Sequence, residues 1–501
     1  MTRRGFLQTG AASLAAPVAT RPNILFVMAD QFRFDCLGAN GNRLIHTPNL
    51  DRLAGGSANL TNAFVQSPVC VPSRISYQTG RYPHSHKNRV NYTPLNSGEA
   101  LMQKLFHDAG YQTGSVGKLH YFPPTAEHAR STGFDRVLLD DGISATDRYS
   151  DYVKWRKSHD PQAGVPYLAT AKNSRNPFRG AIPYEFTPTY WTGAETCRLL
   201  REFAASPKPF LLHCSFFKPH APYTVPEPFD GMYSDIEIPL PRRVTLAEIE
   251  KLPLPVRKQI LRFEPRYAMD RRRLEWIYRS YYGSVSMVDR EVGRILEELE
   301  RSGRARDTIV IFATDHGDQL LEHGLEGKNL FFEASVHVPF LVRFPGRVRP
   351  GKYDDLIEMV DVLPSLLQWC GMDIPVRVQG RSFTGLVNAG AYDPRKVAFA
   401  ENIIPEVITG EGRDYAYTPG KGIKGIRHPD AKMARTKRWK LNYYPGNGGE
   451  LYDIENDPGE MRNVYSDVAH QGTVRDLKAA ILDWMITSDE TDQIAPRWLL
   501  E

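Results

Sequence analysis

The stretch NILFVMADQ, residues 23–31, is an unbroken apolar run that ends in two polar side chains. An apolar run without alternating polar residues predicts a strand buried on both faces, which is the pattern of parallel sheets. Similar runs occur at residues 210–217 and 308–312, and each is followed by further polar side chains. Because sites in open α/β sheets lie at the carboxyl ends of the strands, we expect these polar groups to meet at one edge of a sheet.

Other patterns divide the chain into two parts. Residues 274–299 carry apolar side chains at steps of three or four, which is typical of a helix. Strands that alternate with such helices predict a layered α/β domain over residues 21–384. In residues 385–501, strand-like pieces alternate with Gly, Pro and Asn turns, and a helical stretch follows at 474–486. This order predicts a small C-terminal α+β domain with an antiparallel sheet.

Length and composition exclude several classes of protein. A length of 501 residues favours two domains. Hydrophobic residues make up 41% of the chain and charged residues 24%, and this composition excludes a wholly disordered protein. Lys and Arg number 63 and Asp and Glu 58, so the net charge is only +5 and the charges are interspersed. This balance argues against a nucleic-acid partner. Five cysteines without a CxxC pair indicate neither a disulfide framework nor a zinc site.

Residues 1–20 have the order of a targeting peptide. Arg3 and Arg4 precede a short, weakly apolar, Ala-rich stretch at residues 7–18. This order resembles the twin-arginine signal of exported bacterial proteins, so we expect a signal peptide and a periplasmic or secreted protein. The alternative is an ordinary disordered terminus that contains an Arg pair. The stretch is shorter than the about 20 residues of a membrane span, and we predict no transmembrane segment elsewhere.

The segment Cys70-Val71-Pro72-Ser73-Arg74, followed by Thr79-Gly80-Arg81, carries the strongest chemical signal. Pro72 disfavours helix at the residue before it, so we expect Cys70 at the end of a loop. Ser73 or a neighbour would then cap a helix whose N-terminus stabilises a bound negative group. Taken alone, a cysteine in this setting is more often a buried, inert thiol.

The wider pattern resembles the type I, formylglycine-dependent sulfatases of the alkaline phosphatase superfamily. This resemblance implies an alkaline-phosphatase-like large domain with a mixed, mostly parallel sheet between helices. It also implies that Cys70 is converted to formylglycine by a formylglycine-generating enzyme. The further matching motifs are Arg21-Pro22-Asn23-Ile24, Thr47-Pro48-Asn49-Leu50-Asp51-Arg52-Leu53, Gly117-Lys118-Leu119-His120, Pro219-His220-Ala221-Pro222, Thr314-Asp315-His316-Gly317-Asp318, Glu450-Leu451-Tyr452-Asp453 and Asn456-Asp457-Pro458.

The resemblance also implies a divalent metal site. Asp30, Gln31, Asp315 and His316 match the four-residue cluster of the family, beside the converted Cys70. Carboxylate and amide oxygens suit a hard cation, and Ca²⁺ is the usual ion of the family. Gln31 stands where a second Asp is usual and His316 where Asn is frequent, and an imidazole ligand makes Mn²⁺ an alternative.

A set of cationic side chains completes the implied site. An oxyanion that passes through a charged transition state needs fixed donors around it. By resemblance, Arg74 supports the formylglycine and the metal, and Lys118 and Lys328 hold the sulfate oxygens. His120 would accept the proton when the intermediate collapses, and His220 would protonate the leaving alcohol or help to bind sulfate.

The resemblance implies hydrolysis of sulfate esters, and we expect a sulfated glycan as substrate. The alternative is a phosphonate monoester or phosphodiester hydrolase, because the pairs Asp30-Gln31 and Asp315-His316 also occur in those relatives. A third hypothesis is a sulfated-glycan-binding protein without turnover. The sulfated substrate, its linkage, endo or exo action, the metal and the oligomeric state stay open at this point.

Overall fold

The computed structural model describes residues 21–142, 148–165, 169–172, 174–242, 244–267, 271–403 and 430–489. The predicted signal peptide, residues 1–20, lies outside the described residues. Two sheets are formed, one of nine strands and one of four. Among the described residues, no helix combines the length and the apolar character that crossing a membrane requires.

The larger sheet is mixed and mostly parallel, as expected. Its strands are β1 Asn23–Asp30, β2 Ala58–Phe64, β3 Gln112–Gly117, β4 Arg136–Leu139, β5 Phe210–Pro219, β6 Thr308–Thr314, β7 His337–Val338, β8 Leu341–Arg343 and β9 Gly351–Glu358. Strands β4, β3, β5, β1 and β6 lie side by side in that order and run parallel. Strands β7 and β8 pair antiparallel with β2, and β9 pairs parallel with it. The three apolar runs are therefore the neighbouring strands β5, β1 and β6.

Helices cover both faces of the large sheet. In chain order, the helices of the described residues are α1 Pro48–Gly55, α2 Cys70–Thr79, α3 Pro83–His86, α4 Met102–Asp108, α5 Ala126–Ser131, α6 Asp151–His159, α7 Pro188–Ala204, α8 Leu246–Ile249, α9 Leu254–Tyr267, α10 Arg271–Arg301, α11 Glu333–Val336, α12 Val362–Trp369, α13 Thr384–Asn388 and α14 Gln471–Thr487, of which α14 packs on the smaller sheet. In β1, Ile24 and Phe26 pack into the core that includes α2 and α12. Leu25 and Val27 pack into the core that includes α7 and α10. The prediction of a strand buried on both faces is confirmed.

The smaller sheet is antiparallel and lies near the C-terminus. Its strands, in spatial order, are β10 Ala398–Ile403, β11 Asp430–Arg435, β12 Trp439–Tyr443 and β13 Gly449–Asp453. The predicted antiparallel sheet and the predicted helical stretch at residues 474–486, within α14, are confirmed. Ala400 and Met433 pack into the α2 side of the large core, whereas Leu441 packs with α14. One face of the small sheet therefore rests on the large domain.

Gly117 sets the point at which the chain leaves β3. Its φ is 91°, and a Cβ atom there would lie 2.1 Å from the carbonyl oxygen of Ser215 in β5. The same carbonyl accepts a hydrogen bond from the backbone N–H of Lys118 at 2.9 Å. Only glycine permits this approach, because it lacks a Cβ and adopts positive φ readily.

We expect Gly117→Ala to lower the free energy of unfolding by at least about 3 kcal/mol, because the added Cβ must displace β5. Gly303→Ala is the matched control, since Gly303 also has positive φ, at 74°, but open space around it. That change should cost about 1 kcal/mol from backbone strain alone. Urea unfolding followed by circular dichroism measures both losses. Equal losses would contradict the close approach of β3 to β5.

Candidate active site

The polar side chains come from the carboxyl ends of four adjacent strands. Lys118 follows β3, His220 follows β5, Asp30 ends β1, and Asp315 follows β6. Parallel neighbours bring their carboxyl ends to the same edge, so residues distant in sequence become neighbours in space. Gln31, directly after β1, has a φ of 64°, which turns the chain sharply at this edge.

Cys70 is the first residue of α2, and this corrects one expectation. The sequence predicts Cys70 in a loop and a cap at Ser73, but α2 starts at Cys70 and Val69 precedes it without a side-chain cap. The backbone N–H of Ser73 already donates to the carbonyl oxygen of Val69 at 3.1 Å. Pro72 is tolerated in the first turn because its missing N–H would have no partner within the helix. Cys70 thus lies at the positive end of the helix dipole.

Cationic groups surround the buried Cys70 thiol. Its Sγ lies 3.0 Å from Nζ of Lys328, 3.2 Å from Nε2 of His316 and 4.0 Å from Nζ of Lys118. Burial raises the pKa of the thiol, but Lys118, Lys328 and His316 outweigh it, and the pKa lies well below its usual range. The position therefore stabilises a negatively charged group.

Arg74, one turn further along α2, is fully buried and contacts all four strand ends. Its Nε donates to Oδ2 of Asp315 at 2.7 Å. Its Nη1 donates to the carbonyl oxygen of Lys118 at 2.8 Å and to Oγ of Ser215 at 3.0 Å. Its Nη2 lies 3.6 Å from Oδ2 of Asp30. One guanidinium thus holds β1, β3, β5 and β6 in register around the thiol.

Asp30 carries a negative charge at the centre of the cluster. Burial raises its pKa, but the ammonium of Lys118 in direct contact with Oδ2 lowers it, and the pKa lies well below its usual range. The second oxygen, Oδ1, is buried and has no hydrogen-bond partner among the described residues. An unpaired, buried carboxylate oxygen is costly, so this atom fits a metal ligand.

His316 completes a ligand set of the right chemistry. One ligand atom from each of Asp30, Cys70, Asp315 and His316 lies within 4.8 Å of the others. Nδ1 of His316 lies 2.9 Å from the carbonyl oxygen of Gly317, which holds Nε2 toward the carboxylates. Burial and Lys328 lower the pKa of His316, but Asp315 and Cys70 raise it above its usual value. The surroundings therefore favour positive charge beside Nε2, and a divalent cation bound there in place of the proton would supply it.

Gln31 is held with its carbonyl oxygen toward the same cluster. Its Nε2 donates to Asp318, whose Oδ2 also accepts from the hydroxyl of Tyr223 at 2.9 Å. Its Oε1 accepts from Nζ of Lys328 at 3.0 Å. Because the amide nitrogen of Gln31 is bonded to Asp318, the amide oxygen Oε1 faces the cluster and is available to a cation. The four predicted metal-site residues thus have the chemistry of ligands for a divalent ion.

Two histidines flank the thiol. Nε2 of His220 lies 2.9 Å from Nζ of Lys328, and burial and that ammonium lower the pKa of His220. His120 has a φ of 61°, and neither of its ring nitrogens has a hydrogen-bond partner among the described residues. The ring is close enough to Cys70 to contribute to the low pKa of the thiol. The His120 ring is therefore available for proton transfer, whereas His220 is oriented by the contact of its Nδ1 with the carbonyl oxygen of Ala221 at 2.5 Å and keeps Nε2 on the side of the thiol cluster.

Three residues support the site without having been predicted for it. Ser215 binds Arg74, Asp318 orients Gln31, and Oδ1 of Asp141 accepts from the backbone N–H groups of Leu119 and His120, both at 2.9 Å. Asp318 is the last residue of the family motif at residues 314–318, so the motif could have indicated it. Nothing in the sequence around Asp141 indicates its role.

Two further histidines make contacts outside this cluster. His84 bonds Glu401 and Ser488, and His323 stacks on Phe332 with a centroid distance of 4.0 Å.

Comparisons with known proteins agree with this geometry. The Sulfatase family model matches residues 22–372. An arylsulfatase from Clostridium perfringens is 30% identical over 92% of this chain and 94% of its own length. The multifunctional alkaline phosphatase superfamily protein PehA from Trinickia caryophylli is 26% identical over 93% of this chain and 96% of its own length. A crystal structure of the phosphonate monoester hydrolase of Agrobacterium radiobacter has a TM-score of 0.79 and 25% identity, covering 94% of this chain and 96% of that one.

The family match contains all nine strands of the large sheet, and the arylsulfatase aligns through both sheets. The mixed large sheet with a separate antiparallel sheet is the alkaline phosphatase fold of the solved relatives. The chain therefore belongs to the sulfatase family, within the alkaline phosphatase superfamily, and is a sulfuric ester hydrolase.

Proposed function

We propose that this enzyme hydrolyses sulfate esters with a formylglycine formed from Cys70 and a bound divalent cation. The observation that carries the proposal is the position of Cys70 Sγ, within 4.0 Å of Lys118, Lys328 and His316. A structural thiol would not need this concentration of charge, because burying charged groups is costly even where they are paired. A nucleophile that attacks an anionic ester does need it.

The oxidised side chain supplies two hydroxyl groups when hydrated, one to attack sulfur and one whose deprotonation releases the sulfate. The residues of the chain act around it. Lys118 and Lys328 hold the sulfate oxygens and offset the charge that develops on them. His120, with both ring nitrogens unengaged among the described residues, accepts the proton during release. His220 donates to the departing alcohol oxygen.

Asp30, Gln31, Asp315 and His316 would hold the cation. A bound divalent ion lowers the charge on the sulfate and the pKa of a hydroxyl near it. Arg74 holds both carboxylates by their Oδ2 atoms, with Nε on Asp315 and Nη2 facing Asp30. The oxygen Oδ1 of Asp30 accepts no hydrogen bond among the described residues and lies 3.7 Å from Nε2 of His316, which supports the assignment.

The wider role of the protein follows from the sequence and its relatives. We propose a sulfated carbohydrate as substrate, because an endo-4-O-sulfatase and an N-acetylglucosamine-6-O-sulfatase from Bacteroides thetaiotaomicron are 28% and 24% identical to this chain.

We also propose export through the signal at residues 1–20 and conversion of Cys70 by a formylglycine-generating enzyme. The predicted division at residues 384 and 385 separates a catalytic domain from a C-terminal subdomain.

Conversion of Cys70 is testable by mass. In protein co-expressed with a formylglycine-generating enzyme, we expect the Cys70 peptide to be roughly 18 daltons lighter, as replacement of a thiol by an aldehyde requires. Cys70→Ser should lose multiple turnover, since a serine provides only one hydroxyl. Cys214→Ser is the control, because Cys214 is also buried but lies within β5. An unmodified thiol under conditions that convert a known sulfatase would exclude the mechanism.

Metal binding is testable by thermal unfolding. We expect Ca²⁺ or Mn²⁺ at about 100 times its Kd to stabilise the protein by about 2.7 kcal/mol. Asp315→Asn should remove this increase, whereas Asp289→Asn should keep it. Asp289 is equally buried but caps α1 through the backbone N–H of Leu50 at 2.7 Å. His316→Asn should reduce the effect of Mn²⁺ more than that of Ca²⁺, since it removes an imidazole ligand. An identical metal response in Asp315→Asn would place the ion elsewhere.

Phosphonate monoester or phosphodiester hydrolysis is the second candidate function. Gln31 and His316 favour it, and so does the likeness to a phosphonate monoester hydrolase. We expect the converted enzyme to hydrolyse an aryl or glycan sulfate with a higher kcat/KM than a phenyl phosphonate or a phosphodiester with the same leaving group. Cys70→Ala, assayed beside it, controls for contaminating phosphatase. Faster turnover of the phosphorus esters than of every sulfate would reverse the assignment.

A further inference from the structure

Residues 328–333, which we call the lysine loop, carry the cation nearest the thiol. Nζ of Lys328 lies 3.0 Å from Sγ of Cys70 and 3.0 Å from Oε1 of Gln31. No carboxylate forms an ion pair with Lys328 among the residues that the structure describes. The place of its ammonium group therefore depends on where the backbone of the loop is held.

Three side chains of the C-terminal region fasten that backbone. Nδ2 of Asn402, in β10, donates to the carbonyl oxygen of Asn329 at 2.7 Å. Nζ of Lys440, in β12, donates to the carbonyl oxygen of Phe331 at 2.7 Å. Oε2 of Glu460 accepts from the backbone N–H of Glu333 at 2.6 Å. The contacts follow one another along the loop at residues 329, 331 and 333.

These three side chains are buried polar groups that the proposed mechanism does not use. Asn402 is 2% exposed, Lys440 0% and Glu460 4%. Nζ of Lys440 also contacts Glu460 and lies 3.1 Å from Oε1 of Glu333. Burying an ammonium group and two carboxylates is costly unless each is paired, and here the pairs converge on the lysine loop. Asn329 adopts a φ of 97°, which residues other than glycine seldom do.

We propose that Asn402 and Lys440 are positioning residues for Lys328. They hold the lysine loop by its carbonyl groups, and the held loop places the Lys328 ammonium beside Cys70. The small sheet would then take part in catalysis without touching the substrate. This inference rests on the proposed function of Lys328 in holding sulfate oxygens, and it assigns the C-terminal sheet a role in that function.

A double-mutant cycle tests the coupling on the converted, metal-loaded enzyme. We expect Asn402→Ala to lower kcat about tenfold with little change in KM, because small displacements of a charged group weaken transition-state contacts. In a Lys328→Ala background the same change should cause no further loss, since the group that it positions is gone. Asn442→Ala is the matched control. Asn442 is equally buried in β12, but its Nδ2 donates to Glu450, outside the loop.

Lys440→Met gives a second, independent variant at another point of the loop. It should show the same pattern as Asn402→Ala, with a loss in the wild-type background and none beside Lys328→Ala. Equal losses in both backgrounds, or a loss in Asn442→Ala as large as that in Asn402→Ala, would mean that the small sheet acts only through general stability. Either result overturns the proposal.

Hydrogen exchange separates this inference from the proposed function. The peptide that spans residues 328–334 should exchange faster in Asn402→Ala and Lys440→Met than in wild type, but not in Asn442→Ala. The cycle uses whichever ester, sulfate or phosphonate, the wild type hydrolyses fastest. A wild type that hydrolyses none would reject the proposed function, and the exchange result would still decide whether the sheet holds the loop. Unchanged exchange in both variants would reject that claim.

Discussion

The buried guanidinium of Arg74 is the contact on which the arrangement of the site depends. Asp30 and Asp315 end neighbouring strands, and both are fully buried, so their charges would repel each other without a cation between them. Arg74 lies against both and donates as well to Lys118 and Ser215. Removing one partner from such a buried group of charges costs several kcal/mol. The residue thus couples the register of four strands to the geometry around the thiol.

That coupling explains why Cys70 and Arg74 come from one helical turn. Residues four apart lie on the same face of a helix, so the helix that presents the thiol also carries the guanidinium that organises the strand ends. Any shift of α2 moves both groups together. Gly117 constrains the site in a similar way from β3. Its close approach to Ser215 fixes the point at which the chain leaves the sheet, and therefore the position of Lys118. The site is therefore built from backbone constraints as much as from side chains.

The sequence predicts the parts of the site that are local and misses those that form across the fold. The apolar runs of β1, β5 and β6 predict buried strands because burial on both faces leaves no polar alternation. Family motifs then indicate the residues that follow these strands. The start of α2 is predicted wrongly, because Pro72 is tolerated in the first turn of a helix.

Contacts across the fold leave no comparable pattern in the sequence. The bonds of Asn402 and Lys440 to the lysine loop span 73 and 109 residues of sequence. No local spacing indicates such a contact.

The number of donors in the site bears on the choice between sulfate and phosphonate. A sulfate monoester and a phosphonate monoester are both tetrahedral and carry one negative charge, so the cations attract both. They differ in the atoms that they present: the sulfate has three unsubstituted oxygens, whereas the phosphonate has two and a carbon. Lys118 and Lys328 lie close to Cys70 as separate donors, whereas Nε2 of His220 faces the ammonium of Lys328 and this histidine is proposed to act on the leaving alcohol. Each ammonium finds an oxygen on either substrate, but the carbon of a phosphonate accepts no hydrogen bond, so the sulfate presents one acceptor more to the cations around it. That additional acceptor favours sulfate, and the leaving group determines how much of the preference appears in the rate.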